Sequence, residues 1–493
     1  MVFSSAIFLY VFLPITLALY YALAHRLKNI LLLAASLLFY AWGDPRHLPV
    51  MVGSILFNWF VALLIARAPS RKLQFAILSG GVATNLLFLV FYKYSFFLSA
   101  NLDSLVGHLF GAHAKVYQVA LPIGISFFTF HSISYIVDVY RKDAEALASP
   151  LDMGVYISLF PQLIAGPIIR YHDIAEQILH RRNTLERFSS GVERFAFGLG
   201  KKVLIANVLG QVADQVFAIP QHQISPSMAW FGIVCYTLQI YFDFSGYSDM
   251  AIGLARMFGF ELTENFNYPY IAASVREFWR RWHISLSTWF RDYLYIPLGG
   301  NRASSLRVSL NLVTVFLLCG LWHGASWNFV IWGAFHGSLL VLERTAFGRR
   351  LDALPRYIGH TYTILMVMIG WVFFRAETLG FACAYIGALF GFTDAHGLGP
   401  QVGFYFNAQV LSTIVLGGIL STPIAISLAR DWNNRRFPSH ANEPLPAAVL
   451  SYSSALGDQG IYYIRVVVTL FILVICASEL AAGTYNPFIY FRF

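Results

Sequence analysis

The sequence predicts an all-α polytopic integral membrane protein, with about ten to twelve transmembrane or re-entrant helices and amphipathic helices lying at the interface. Three observations carry this. Of 493 residues, 57% are hydrophobic and only 12% charged, about half the charge of an ordinary soluble chain. Apolar runs recur along almost the whole length, leaving no room for a separate soluble domain. The positive charges cluster in alternate short loops, as orientation in a bilayer requires. One membrane domain, 1–493, is therefore expected.

The first run, FSSAIFLYVFLPITLALYYALAH, lacks a basic start and a small-residue cleavage site and is long enough to span, so it is read as a retained helix. Further spans are expected near residues 29–43, 50–66, 74–98, 119–139, 151–168, 190–217, 226–258, 307–342, 357–378, 407–428 and 460–482. The stretch 151–168 contains FPQLIAGPII, whose Pro161, Gly166 and Pro167 break a helix at depth. Broken backbone is tolerated there only under protein or beside water, so a re-entrant segment competes with a span. Arg26 and Lys28, then Arg67, Arg71 and Lys72, then Arg141 and Lys142 follow spans one, three and five. The loops between, Gly43 to Leu48 and Ser99 to Gln118, are poorer in positive charge. The N-terminus is expected outside, and the long polar stretch 430–460 in the cytoplasm. The net charge of +9 thus reports topology, and no nucleic-acid partner is expected.

Cys235, Cys319, Cys383 and Cys476 all lie in apolar runs without metal-ligand or redox spacing. They are read as buried, free thiols, and no metal site is expected.

Three stretches carry chemistry. CGLWHGASWNFVIWG, residues 319–333, sets His323 between Trp322 and a cluster of Gly, Ser and Asn. The apolar segment Ser309 to Leu342 would measure about 51 Å as one helix, more than the roughly 30 Å hydrocarbon core, so a break or a steep tilt is required. On the first reading Ser326 caps a second helical piece and His323 faces a cavity at mid-membrane. On the second the glycines allow close packing and His323 hydrogen-bonds a neighbour.

REFWRRWHISLSTWFRDYLYIPLGG, residues 276–300, places Trp279, Trp282, Leu286, Phe290 and Tyr293 on one helical face and Arg276, Arg280, Ser287 and Arg291 on an adjoining stripe, with His283 on the boundary. This pattern describes an interfacial helix ended by Pro297, Gly299 and Gly300. It is a plain anchor, or its arginines meet an anionic ligand such as coenzyme phosphates. QIYFDFSGYSDMAIG, residues 239–253, carries Asp243 and Asp249 in an apolar run. They must be paired, protonated or wet, either in a structural pair or orienting a histidine. His131 and His336 are read as hydrogen-bonded core histidines.

These stretches, with LPIGISFFTFHSISYIVDVYR, ENFNYPY and GLWHGASWNFVIWGAFHG, resemble the membrane-bound O-acyltransferase family, in the branch containing the alginate O-acetyltransferase membrane subunit. The match covers about residues 1–380, and the tail 381–493 shares only hydrophobicity. The resemblance implies helices around a central funnel, His323 as the principal catalytic residue and His283 as the second functional histidine. Trp322, Ser326, Asn265 of ENFNYPY, Asp243 and the three arginines are carried as donor-binding or supporting residues. It further implies no bound cofactor, acetyl-CoA as donor, and an acceptor beyond the bacterial inner membrane. The partner implied is a separate periplasmic acetyltransferase or acetyl carrier of the SGNH type, with membrane lipids around the chain.

The residues suit that chemistry. Transfer from a thioester to a hydroxyl needs a base, and a neutral imidazole with pKa near 6.5 serves at neutral pH. Cys319, four residues before His323, raises the alternative of a covalent acyl-enzyme, against which a thiol in apolar surroundings is a poor nucleophile. Acceptors other than alginate, such as cellulose or peptidoglycan, stay open, as does a transporter that makes no bond.

Overall fold

The computed structural model describes residues 2–392, 399–424, 427, 459–483 and 485–486, and the described residues are helices and links with no strand. Pro45–Arg67, Arg71–Phe110, Leu185–Phe217, Ser305–His323, Arg356–Arg375 and Tyr463–Ala481 are long and apolar enough to cross a membrane. Phe8–Ala22, Trp327–Leu342, Leu379–Leu389 and Ala408–Leu420 are shorter apolar helices. The expected cytoplasmic loop 430–460 falls almost wholly outside the described residues. The chain divides into two compact units, Met1–Val192 with Ala251–Thr263, and Glu193–Met250 with Glu264–Phe493.

In the first unit, Ser70 starts the helix Arg71–Phe110 by accepting from Leu73 N (3.3 Å), and Gly111, at φ 63°, ends it. At 40 residues this helix is about 60 Å long, longer than one straight crossing requires. Ser99 to Phe110, expected as loop, is helical: SANLDSLVGHLF contains no proline, its single glycine, Gly107, is accommodated within the helix, and the left-handed Gly111 ends it. Asn58 and Asn85 exchange amide hydrogen bonds of 3.1 and 2.7 Å inside the unit, the side-chain pairing that joins helices where apolar packing alone gives little preference.

The stretch 151–168 is broken, as its prolines require. Helix Pro150–Ser158 stops at Leu159, and a short turn of helix, Phe160–Leu163, follows. Every residue from Met153 to Leu163 is buried, so the interrupted backbone is covered by protein. His131 is a core histidine as expected: it is fully buried, and its Nε2 accepts from Ile169 N at 3.3 Å.

In the second unit, Gly198 and Gly246 bring the helices of Leu185–Phe217 and Pro226–Met257 together; a Cβ at Gly198 would lie 2.6 Å from Gly246 O. Across this contact the acids of the third stretch find their partners. Asp249 takes Arg194 and Lys201, each at 2.6 Å, and Arg194 also takes Glu264 at 2.6 Å. Asp243 and Lys202 pair at 2.7 Å, both nearly inaccessible. The acids are thus structural pairs, and no histidine is among these partners.

The segment 305–342 is two helices, Ser305–His323 and Trp327–Leu342, and the break falls at Gly324. They do not continue one another across the membrane. They fold back as a hairpin in which a Cβ at Gly320 would lie 2.2 Å from Phe329 O and one at Gly333 2.3 Å from Phe316 O. Both readings of the sequence therefore hold in part: the chain breaks, and the glycines serve close packing. Ser326 stands at the N-cap position, but its side chain makes no capping bond.

Cys235, Cys319 and Cys476 are buried free thiols, whereas Cys383 is exposed. It lies on an outward face of the apolar helix Leu379–Leu389, where hydrophobicity implies lipid contact as readily as burial.

Candidate functional site

The stretch 276–300 does not form the single interfacial helix expected of it. Helix Val275–Arg281 ends at Trp282, His283 adopts a left-handed conformation (φ 47°, ψ 53°), and a second helix runs from Ile284 to Phe290 before a wider turn, Arg291–Tyr295. The aromatic face meets protein: Trp279, Trp282, Leu286 and Phe290 are buried, with Trp282 and Trp371 ring centroids 4.8 Å apart. These aromatics fill the core of the unit, and the arginine stripe stays exposed.

Glu343 fixes the start of this segment. Fully inside the fold, its carboxylate accepts from Val275 N (2.6 Å) and Arg276 N (2.9 Å), while its backbone carbonyl accepts from the Arg276 guanidinium at 3.2 Å. Burial raises its pKa, and these two backbone donors oppose the rise. The Ser274 hydroxyl completes the cap by accepting from Glu277 N at 3.0 Å.

A left-handed histidine is an uncommon, costly conformation for a side chain with a Cβ, and here it turns the imidazole inward. Asn265 holds it. Asn265 Oδ1 accepts from His283 Nδ1 (3.1 Å), Ser285 N (3.2 Å) and Ser285 Oγ (2.9 Å). With Nδ1 donating to a carbonyl-type oxygen, the neutral ring carries its lone pair on Nε2, which is buried and has no hydrogen-bond partner. Burial pushes the His283 pKa down to about 3, so the ring is neutral at physiological pH.

His323, at the end of its helix and buried, is boxed by aromatic rings. Its centroid lies 4.9 Å from Trp322, 5.1 Å from Trp332 and 5.1 Å from Phe374. Trp322 also neighbours His283, at 6.3 Å. Asn328 secures the far side of the box by donating to Ala376 O at 2.6 Å, just beyond Phe374. His336 is the hydrogen-bonded core histidine that the sequence leads one to expect, and it belongs to the same group. Its Nδ1 accepts from Trp279 Nε1 at 3.4 Å, and its ring is 5.1 Å from both Trp279 and Trp332.

Beside Trp279 opens a cavity of about 550 Å³ whose lining includes Arg276, Arg280, Arg291 and Arg344 together with Trp279, Leu312, Leu340, Ser287 and Thr288. The volume is that of a small-molecule site; Arg276, Arg280 and Arg344 bring positive charge suited to an anion, while Arg291 is engaged by Asp292 at 2.6 Å. Arg344 was not legible in the sequence stripe, since it arrives from the end of the hairpin and only the fold brings it in. Of the remaining candidates, Asn265 and Trp322 join the histidines, Asp243 is engaged with Lys202, and Ser326 lies at the hairpin turn.

The family model for the membrane-bound O-acyltransferase family matches residues 86–376. The chain belongs to that family. It is 42% identical to the Probable alginate O-acetylase AlgI of Azotobacter vinelandii and 43% identical to that of Pseudomonas putida, over 100% of both chains in each case. It is also 37% identical to the Peptidoglycan O-acetyltransferase of Helicobacter pylori, over 79% of this chain and 80% of that one. The protein is accordingly an O-acyltransferase and a multi-pass membrane protein, and the transporter reading falls away. Within this O-acyltransferase, both histidines singled out by sequence, His283 and His323, stand against the same indole.

Proposed function

We propose that this chain is a membrane O-acetyltransferase of the bacterial inner membrane that takes acetyl from acetyl-CoA in the cytoplasm and passes it outward for O-acetylation of an exopolysaccharide, alginate. The observation that supports the reading is the arginine-lined cavity, whose Trp279 packs through the rings of His336 and Trp332 onto His323. The phosphates of the coenzyme would sit among the arginines, with the thioester directed toward the histidines. The names of the full-length relatives support alginate as the polymer.

In the proposed step an acceptor hydroxyl attacks the thioester carbonyl. His323 takes the hydroxyl proton, the new C–O bond forms, the C–S bond breaks, and the coenzyme thiolate leaves and recovers a proton. His283, neutral and with an open Nε2, is the second functional imidazole for that proton traffic. Excluding water keeps the thioester from hydrolysis. The acceptor is a periplasmic partner of the SGNH type, which then modifies the polymer. Transfer is direct, without an acyl-Cys319 intermediate.

The test is polymer acetylation in cells carrying His323→Ala, Cys319→Ala or the parent chain, with membrane levels of each protein matched, together with label transfer from acetyl-CoA in isolated membranes. His323→Ala is expected to lose acetylation by about 10²- to 10⁴-fold and Cys319→Ala to retain it. Near-normal acetylation in His323→Ala removes the residue from catalysis.

A further inference from the structure

Away from these histidines, the first compact unit contains a buried cation whose hydrogen-bond partners are all neutral. Arg181, only 6% exposed, donates from Nε to Tyr20 Oη (2.8 Å) and from Nη1 to Asn29 Oδ1 (2.6 Å) and Ile178 O (3.2 Å). Its Nη2 is buried with no partner. Asp152 comes no nearer than through Asn29, whose Nδ2 donates to Asp152 Oδ1 at 2.7 Å. A buried guanidinium served by neutral acceptors alone bears a desolvation cost that an anion would offset.

A second cation shares the same tyrosine. Lys28 Nζ lies 4.5 Å from the Tyr20 ring centroid and the Arg181 guanidinium carbon 5.6 Å from it. Desolvation, followed by repulsion from Arg181, lowers the Lys28 pKa, as expected where two cations approach without a counter-charge. Lys28 is also the first residue of helix Lys28–Gly43, whose first turn has no acidic residue and whose N-cap makes no side-chain bond. The positive end of that helix dipole therefore adds to the two side chains.

We infer that Arg181, Lys28 and the start of helix Lys28–Gly43 form a binding site for the phosphate of an anionic phospholipid. The surroundings select a lipid over a soluble anion. Leu27 and Ile30, beside Lys28 in the chain, are 44% and 48% exposed, and Leu19, beside Tyr20 near the end of the apolar helix Phe8–Ala22, is 46% exposed, so apolar side chains suited to acyl chains flank the residues that carry and contact the charges. Basic pockets between membrane helices take lipid phosphates in this way. Lys28 is partly accessible, whereas Arg181 is buried beside the same tyrosine.

The experiment is native mass spectrometry of the purified full-length chain titrated with phosphatidylglycerol, phosphatidylcholine or inorganic phosphate, on the parent chain, Lys28→Gln, Arg181→Gln and, as a control for bulk charge, Arg350→Gln. The parent is expected to retain phosphatidylglycerol in preference to phosphatidylcholine, and Lys28→Gln to weaken that retention about fivefold. Arg181→Gln should weaken it further, and Arg350→Gln should leave it unchanged. Lys28→Gln decides the matter by itself if Arg181→Gln does not fold. Equal retention of both lipids, no loss in Lys28→Gln, or the same loss in Arg350→Gln overturns the site. Full competition by inorganic phosphate overturns its assignment to a lipid.

Discussion

His283 and His323 share one indole neighbour, Trp322, whose ring centroid lies 6.3 Å from the first imidazole and 4.9 Å from the second. The two histidines come from different helical segments, and this side chain is the packing element common to both. Trp322→Ala would leave a cavity on both imidazoles at once and is expected to lower acetyl transfer by at least about tenfold, with Trp322→Phe recovering most of it. Initial rates in membranes with matched protein levels check this; full activity in Trp322→Ala would show that neither histidine depends on the indole.

Asn265 fixes the His283 tautomer and closes the turn through Ser285. Asn265→Ala should reduce the rate by about 10²-fold, the scale of a misplaced acid–base group. Asn265→Asp keeps the acceptor and adds a negative charge beside Nδ1, which raises the His283 pKa from its depressed position. The acid side of the pH–rate profile should then move to higher pH in that variant, a shift that loss of packing alone would not produce.

Arg344, from the end of the hairpin, lines the same cavity as Arg280 and Arg291 of the stripe. Arg344→Gln and Arg280→Gln are expected to raise the acetyl-CoA concentration required for half-maximal rate several-fold, by loss of charge-assisted bonds, with little change in the maximal rate. A fall in maximal rate at unchanged donor requirement would assign these arginines to structure.

The donor path also requires sidedness. Ser287 lines the cavity and Ser104 lies on the exposed face of the long helix Arg71–Phe110. Single cysteines at these positions, in a chain lacking its four native cysteines, should respond oppositely to an impermeant thiol reagent applied to intact cells. Ser104→Cys should label and Ser287→Cys should not; labelling of Ser287→Cys from outside would invert the proposed donor side.

His172 gives a pH-dependent term in stability. Its Nδ1 bonds the buried Asp138 carboxylate at 2.9 Å, and that hydrogen bond raises its pKa above the usual histidine value. The protonated pair stabilises the fold fully below about pH 6.5, and the contribution disappears as pH rises through the elevated folded-state value. Thermal melts of the parent chain and His172→Gln should therefore differ more at pH 6 than at pH 8.5, and a gap that widens with pH would contradict the assignment.

Much of this site was legible from residue type. A histidine beside tryptophan in a run too long for one helix singled out His323, and two acids in an apolar run had to be paired, protonated or wet, of which the structure shows the paired state. What the sequence concealed was three-dimensional. Helical periodicity assumed an unbroken helix from 276 onward, whereas the left-handed turn at His283 interrupts it and folds the aromatic face into protein. The 305–342 segment was long for a span because it doubles back, and hydropathy does not distinguish a broken helix from a hairpin. His336 and Arg344 looked ordinary because their neighbours, Trp279 and the arginine stripe, lie far away in sequence.

The buried ion pairs of the second unit bear on how its helices lie in lipid. Helix Leu185–Phe217 carries Arg194, Lys201 and Lys202, and their carboxylate partners Asp243 and Asp249 are on the next long helix, Pro226–Met257. Entering lipid alone, each such charge costs about 3 kcal/mol at the centre of a helix during insertion. Pairing of Arg194 and Lys201 with Asp249 and of Lys202 with Asp243 therefore lowers the cost of the two helices lying in lipid together relative to either lying there alone.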